Sequence, residues 1–158
     1  MTSLHIAGLG LAACCAVALL VWVASVPLRD VSIVDSAWSL LVLAPVLVAL
    51  ALAPQPGPRA PWLALLAGAW ALRLAVYITW RHWGQPEDPR YQEIRARNEP
   101  GFAMKSLYLV FALQAVLAWI VAAPFLVGMA SGRPFAVLDA IGAATGAFGI
   151  AFEAVGDA

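Results

Sequence analysis

Apolar residues fall into five long runs separated by polar breaks. The runs are 4–26, 31–53, 62–80, 106–130 and 136–155. Each is near the roughly 20 residues that carry a helix across a ~30 Å hydrocarbon core. Three breaks are short: Pro27 to Asp30, Pro54 to Pro61, and Ser131 to Pro134. Proline lacks the amide donor and restricts its predecessor, so the Pro54 to Pro61 stretch is expected to be a non-helical turn. The fourth break, 81–105, is the one long polar segment. Within it Asp88-Pro89 reads as an N-cap and first helical position. Glu93 and Arg97 form an i,i+4 pair, and Asn98 to Gly101 stops that short helix.

Composition turns the pattern into a class. The chain of 158 residues is 63% hydrophobic and 11% charged, with mean hydropathy +0.87. So few charges cannot cover a water-soluble domain. The expected fold is all-α, a polytopic bundle of about five transmembrane helices in one domain. The first run is too long for a cleavable leader and has no Lys or Arg before it. Zero net charge gives no sign of a nucleic-acid partner. Cys14 and Cys15 are adjacent in an apolar run and are read as packed or lipid-facing. No His/Cys cluster has metal spacing, so no metal is expected. There is no Gly-rich phosphate loop after a strand and no GxSxG.

Five of the nine Lys+Arg residues lie between Arg73 and Arg97. Basic loops face the cytoplasm, which places 81–105 there and the N-terminus outside. Depth then follows at ~1.5 Å per residue. Asp35 lies ~6 Å and Arg73 ~12 Å inside the cytoplasmic end. Gln114 sits near the depth of Arg73, and Glu153 is one turn from Asp157. Tyr77 and Arg81 share a face with Arg73. A charge at depth costs ~2.5–3.5 kcal/mol, so Asp35 and Arg73 are expected to form a structural ion pair. One pair does not explain the whole accumulation, whereas a cavity opening to the cytoplasm does. Asp139, near the outer end, is the exception. Gly142 and Gly146 form GxxxG, which predicts close approach of a neighbouring helix. Trp38, Trp70 and Trp119 read as packing; Glu87, Asp88 and Glu93 read as a solvated helix face.

RLAVYITWR, EDPRYQEIR, FALQAVLAWIVAAPF and FEAVGDA together resemble the bacterial steroid 5-alpha-reductase-like membrane proteins. The likeness covers nearly the whole chain but only the N-terminal part of such a protein, so the chain reads as truncated. The resemblance implies a bacterial inner-membrane protein with NADPH entering from the cytoplasm and a lipid or sterol-like enone between helices. Hydride then goes to an activated carbon–carbon double bond, while acidic and tyrosine side chains polarise the carbonyl. Glu153 and Asp157 fall where those enzymes carry Asn-x-x-x-Asp; Asp157 matches and Glu153 departs. Asp35 is similar in location to a Gln-Glu pair, and Tyr77 lies near a His-Tyr-x-x-Arg motif with one extra residue before Arg81. The resemblance thus makes Asp35 and Tyr77 catalytic candidates, and Glu153, Asp157, Arg81 and Arg90 cofactor-binding candidates. Most of the NADPH site is expected beyond residue 158, leaving this chain with weak binding and no activity alone. If Asp35 pairs with Arg73 it stays ionised and orients; with a raised pKa it donates.

Two rivals stand beside this reading. A membrane methyltransferase of the isoprenylcysteine type would use S-adenosylmethionine from the same side. A small transporter or interaction module would show inverted repeats and broken helices, which the chain lacks. Orientation is directly testable. An impermeant thiol reagent applied to intact cells should not label a cysteine placed at position 94; ready labelling reverses the topology.

Overall fold

The computed structural model describes residues 2–157. Every regular element among them is helical. In order these are α1 (Ser3–Leu28), α2 (Ile33–Leu52), α3 (Ala60–His82), α4 (Pro89–Asn98), α5 (the continuous run Phe102–Ala130) and α6 (Val137–Gly156). All except α4 are long and apolar enough to cross a membrane. In hydrocarbon every backbone N–H and C=O must be satisfied inside its own segment, and the helix does this without partners. The five expected spans are present, with shifted ends. Pro61 lies in the first turn of α3, where its missing N–H would have had no partner anyway. Pro27 lies in the last turn of α1, which ends two residues later at Arg29 (φ 52°). The Asp30 amide closes that end on the Ser25 carbonyl at 3.3 Å, a left-handed C-terminal cap. α5 starts at Phe102, and residues 107–112 form a π-helical turn. The wider turn accompanies the burial of two consecutive side chains, Val110 and Phe111.

α2 is the central helix, packed on α1, α3 and α5. Its Val34, Leu41, Val42 and Val46 are almost fully buried. Small residues bring the neighbours close: a Cβ on Gly10 of α1 would lie 2.8 Å from the Pro45 Cβ. Polar side chains add interhelical bonds in the same core. Ser39 Oγ donates to the Ala71 carbonyl at 2.8 Å and Cys14 Sγ to the Leu41 carbonyl at 3.2 Å. Trp22 and Trp119 tie α1 to α5 by donating to the Ala103 and Ala7 carbonyls, both at 2.9 Å. Cys14 is therefore packed, and Cys15 is exposed. At one end of the bundle the Gly57 amide donates to the Met129 carbonyl at 2.8 Å. A Cβ there would meet the Ser131 carbonyl oxygen at 2.0 Å, so only glycine allows the two turns to touch.

The other end is polar and is closed by α4. Asp88 caps α4 by accepting from the Arg90 amide at 2.9 Å, and Pro89 opens it. Glu93 and Arg97 pair on its exposed face. Its inner face is clasped to the start of α2. Asp35 accepts from the Tyr91 hydroxyl at 2.7 Å and from Arg90 Nη2 at 3.0 Å. Glu87 accepts from the Val31 amide at 2.8 Å and takes Arg95 bidentately, at 2.9 and 2.7 Å. Arg95 also lies 4.6 Å above the Phe102 ring centroid. Ile94 packs toward the core, so the exposed Glu93 is the better labelling position.

Glu87 and Tyr91 set the pH range of this clasp. Burial works to raise the Glu87 carboxyl, but Arg95 and the Val31 amide outweigh it and hold the group below its ordinary 4.5. Burial, then the Asp35 acceptor, push the Tyr91 phenol above its ordinary 10.0. A depressed acid stabilises above its unfolded value and loses that contribution as pH falls through the folded one. A raised phenol stabilises below its unfolded value and loses that contribution as pH rises through the folded one. The clasp is thus complete between these limits. Protection of the α4 amides, the intrinsic exchange rate divided by the observed one, should be high at neutral pH and fall below about pH 4.5. Glu87→Gln should lose about 2 kcal/mol of protection at pH 7 and flatten the acid limb. An unchanged acid limb in that variant would assign the dependence to another group.

Candidate active site between α3 and α6

α3 and α6 run in the same direction and meet through charge at both ends. Arg59 Nε lies 2.8 Å from Asp139 Oδ1. Four turns further along both helices, Arg73 Nη2 lies 2.6 Å from Glu153 Oε2. Arg73 Nη1 also donates to Asp157 Oδ2 at 2.6 Å. Arg59 to Arg73 and Asp139 to Glu153 are equal intervals, so the two pairs fix one register. Asp139 also caps α6 by accepting from the Ala136 amide at 2.8 Å.

Between the two pairs the helices stand apart. They enclose a crevice of about 430 Å³ lined by Leu63, Leu66, Trp70, Phe125, Gly142, Gly146 and Glu153. A Cβ on Gly142 or Gly149 would meet nothing within 4 Å, and one on Gly146 would only touch Leu66 Cδ1 at 3.8 Å. This corrects the expectation from GxxxG. Leu66 and Trp70 are too bulky for the backbones to meet, so the glycines widen a crevice instead. No α6 residue among those described is fully buried.

The crevice is apolar along its length except at Glu153, which ties it to the Arg73 cluster. One guanidinium there faces two carboxylates, leaving one negative charge in excess. The Arg73 Nε is buried and has no acceptor. Tyr77 and Arg81 follow on the same face, one and two turns beyond, and Arg81 Nη1 donates to the Tyr77 hydroxyl oxygen at 3.1 Å. Its guanidinium also lies 5.9 Å from the Tyr77 ring centroid. That bond uses a lone pair of the phenol and leaves its O–H proton free to donate elsewhere.

The expected Asp35–Arg73 pair is not formed. Arg73 is met by α6, and Asp35 by α4. Depth along the helix axis was similar for both, but the two side chains leave their helices toward different neighbours. The candidates thus divide into two groups. Tyr77, Arg81, Glu153 and Asp157 lie along the α3–α6 face. Asp35 and Arg90 lie in the clasp, where Arg90 is also held by Asp88 at 2.9 Å. Sequence reasoning missed Tyr91, Glu87 and Arg95 as fastening residues, reading the acids as a solvated face. Their signal lay in EDPRYQEIR itself: three acids, one of them the predicted cap, with an aromatic and two arginines. Gln114 has no hydrogen-bond partner among the described residues.

The Arg73 cluster should behave as one unit. Arg73→Gln leaves two carboxylates unpaired at depth and should cost about 3–5 kcal/mol in thermal or denaturant unfolding. Glu153→Gln should cost less, because Asp157 still holds the guanidinium. The triple neutral variant should recover most of the Arg73→Gln loss. Additive losses would mean that the three charges do not interact.

The comparisons with known proteins bear on the whole of this architecture. Neither curated proteins nor solved structures give a significant match. A family model described as "Protein of unknown function (DUF1295)" matches residues 21–158, which takes in the C-terminal end of α1 and all of α2 to α6. The chain belongs to the DUF1295 family.

Proposed function

We propose that this membrane protein takes part in NAD(P)H-dependent reduction of a carbon–carbon double bond in a lipid or sterol-like enone, with the chemistry at the α3–α6 face. The observation that carries the reading is the apolar crevice ending at Glu153, which Arg73 joins to Asp157, with Tyr77 one turn and Arg81 two turns beyond Arg73 on α3. An apolar crevice suits a lipid-like substrate, and a few polar groups at its end would orient it. The likeness of RLAVYITWR and FEAVGDA to the steroid 5-alpha-reductases supports the same assignment. The same basic-loop asymmetry supports a cytoplasmic location for residues 81–105.

The residues fit part of a dinucleotide. Arg81 has only a neutral partner, so its guanidinium remains available to a phosphate. Glu153 and Asp157 retain free lone pairs that would accept from ribose hydroxyls or a carboxamide. Arg90 does not fit this role, because Asp88 and Asp35 already engage it. Asp35 does not fit as a proton donor to substrate, because Tyr91 and Arg90 both donate to it. A bound nicotinamide would supply the hydride. Tyr77 would donate its O–H to the enone oxygen as negative charge gathers there, with Arg81 beside it favouring that charge. Leu63, Leu66 and Trp70 would exclude water from the apolar part of the substrate.

NADPH fluorescence in a titration of the reconstituted protein tests the assignment. Binding is expected to be weak but saturable. Arg81→Ala should weaken it about tenfold, the loss of one charge-assisted contact, and Arg90→Ala should leave it unchanged. The reverse pattern would move the site to the clasp. Saturable binding of S-adenosylmethionine in place of NADPH would replace the reductase reading by the methyltransferase one. Absence of binding by either would remove the cofactor from this face.

A further inference from the structure

We propose that the polar end of the bundle carries a separate binding site for a phospholipid with an aminoethyl headgroup, of the phosphatidylethanolamine type. A pocket of about 570 Å³ lies between the end of α1, the end of α4 and the start of α5. Arg29, Arg95, Glu99, Ser25 and Ser106 supply its polar lining, and Val26 and Phe102 its apolar part. It shares no lining residue with the α3–α6 crevice, so the proposal does not rest on the reductase reading.

Two charges in this pocket are unspent. Arg95 is committed to Glu87, but neither Arg29 nor Glu99 is in an ion pair among the described residues. Glu99 has a single weak contact, from the Phe102 amide at 3.5 Å. Arg29 is locked in place through its backbone, with its carbonyl accepting from Arg95 at 3.2 Å. One free cation and one free anion in the same pocket match a zwitterion. A phosphate would take the guanidinium and a primary ammonium would donate to the carboxylate.

The surroundings select a lipid over a water-soluble zwitterion. Val26, 41% exposed, lines the pocket, and Leu28 and Met104, 62% and 64% exposed and next in sequence to the lining Arg29 and Ala103, add apolar surface at these ends of α1 and α5. That surface would be costly beside water and is natural beside acyl chains. A phosphocholine head has no N–H to give Glu99, and a glycerol head has no positive charge to meet it.

Native mass spectrometry of the protein released from micelles with equimolar phosphatidylethanolamine, phosphatidylcholine and phosphatidylglycerol tests this. The aminoethyl lipid should be retained in preference to the other two. Arg29→Asn, which tolerates the left-handed backbone, and Glu99→Gln should each reduce its retention about tenfold. Arg29→Lys should restore most of it, and Arg97→Ala should leave it unchanged. If Arg29→Asn lowers the unfolding midpoint, the Glu99→Gln result decides, since that side chain makes no strong bond in the fold. Equal retention of the ethanolamine and choline lipids overturns the proposal. So does preference for the glycerol lipid that Glu99→Gln strengthens, which would mark a plain cationic patch. Displacement by deacylated glycerophosphoethanolamine at equal concentration overturns the choice of a lipid as the occupant.

Discussion

A guanidinium in an apolar span must be compensated inside the protein, and Arg73 imposes that requirement on everything around it. Its partners are both on α6, and α6 has little else to hold it. The helix buries no residue completely and leaves Phe148 and Phe152 stacked at its surface. Its place beside α3 is therefore set by charge, with Arg59 and Asp139 completing the attachment at the far end. Charge fixes position sharply at this depth because an unpaired carboxylate there is costly. It does not require the close backbone packing that glycine-rich helix pairs otherwise show. The crevice is a consequence: two pairs of long side chains brace the helices apart over a row of glycines.

The rest of the bundle is organised on the opposite principle. α2 is held by area and shape, with Val34, Leu41 and Val46 buried from all sides and Gly10 seated against Pro45. The polar segment is then fastened to this rigid helix and not to α3 or α6. Asp35 and Glu87 receive hydroxyl, amide and guanidinium donors together, so each half-buried carboxylate is satisfied several times. A fully satisfied polar network rigidifies what it joins. The division leaves a firm part, α1 to α5, and a lightly attached strut, α6, across the proposed site.

Much of this was readable from the chain. Five spans follow from apolar length, and the α4 cap follows from Asp88-Pro89, because both depend on residues close in sequence. Tyr77 and Arg81 were placed on one face by helical periodicity and do bond each other. The pairing of Arg73 was not readable. Sequence gives depth along the axis, but Asp35, Glu153 and Asp157 all lie in the same half of the bundle. Which acid meets the arginine depends on which helices are neighbours and how each is rotated. The prolines misled in a smaller way: Pro61 and Pro27 mark helix ends, yet both lie just inside them. The π-helical turn at 107–112 has no local composition signal at all.

Because charges are few in this chain, their commitments separate structure from chemistry. Asp35 was a catalytic candidate as well as a candidate ion-pair partner while its contacts were unknown. With a tyrosine and an arginine both donating to it, its lone pairs are occupied and its role is fastening. The same accounting raises Tyr77 and Arg81, whose mutual bond leaves a phenolic proton and most of a guanidinium available. It also singles out the Arg73 Nε, a buried donor with no acceptor at the charged end of the crevice. A buried unsatisfied donor costs about 1–3 kcal/mol, and a charged one more, so it persists only where something offsets the cost. The two carboxylates held by the same guanidinium, Glu153 and Asp157, supply that offset. The proposed chemistry therefore rests on the free groups of Tyr77 and Arg81 on the α3 face, and not on the more extensive polar network at α4, whose groups are engaged with one another.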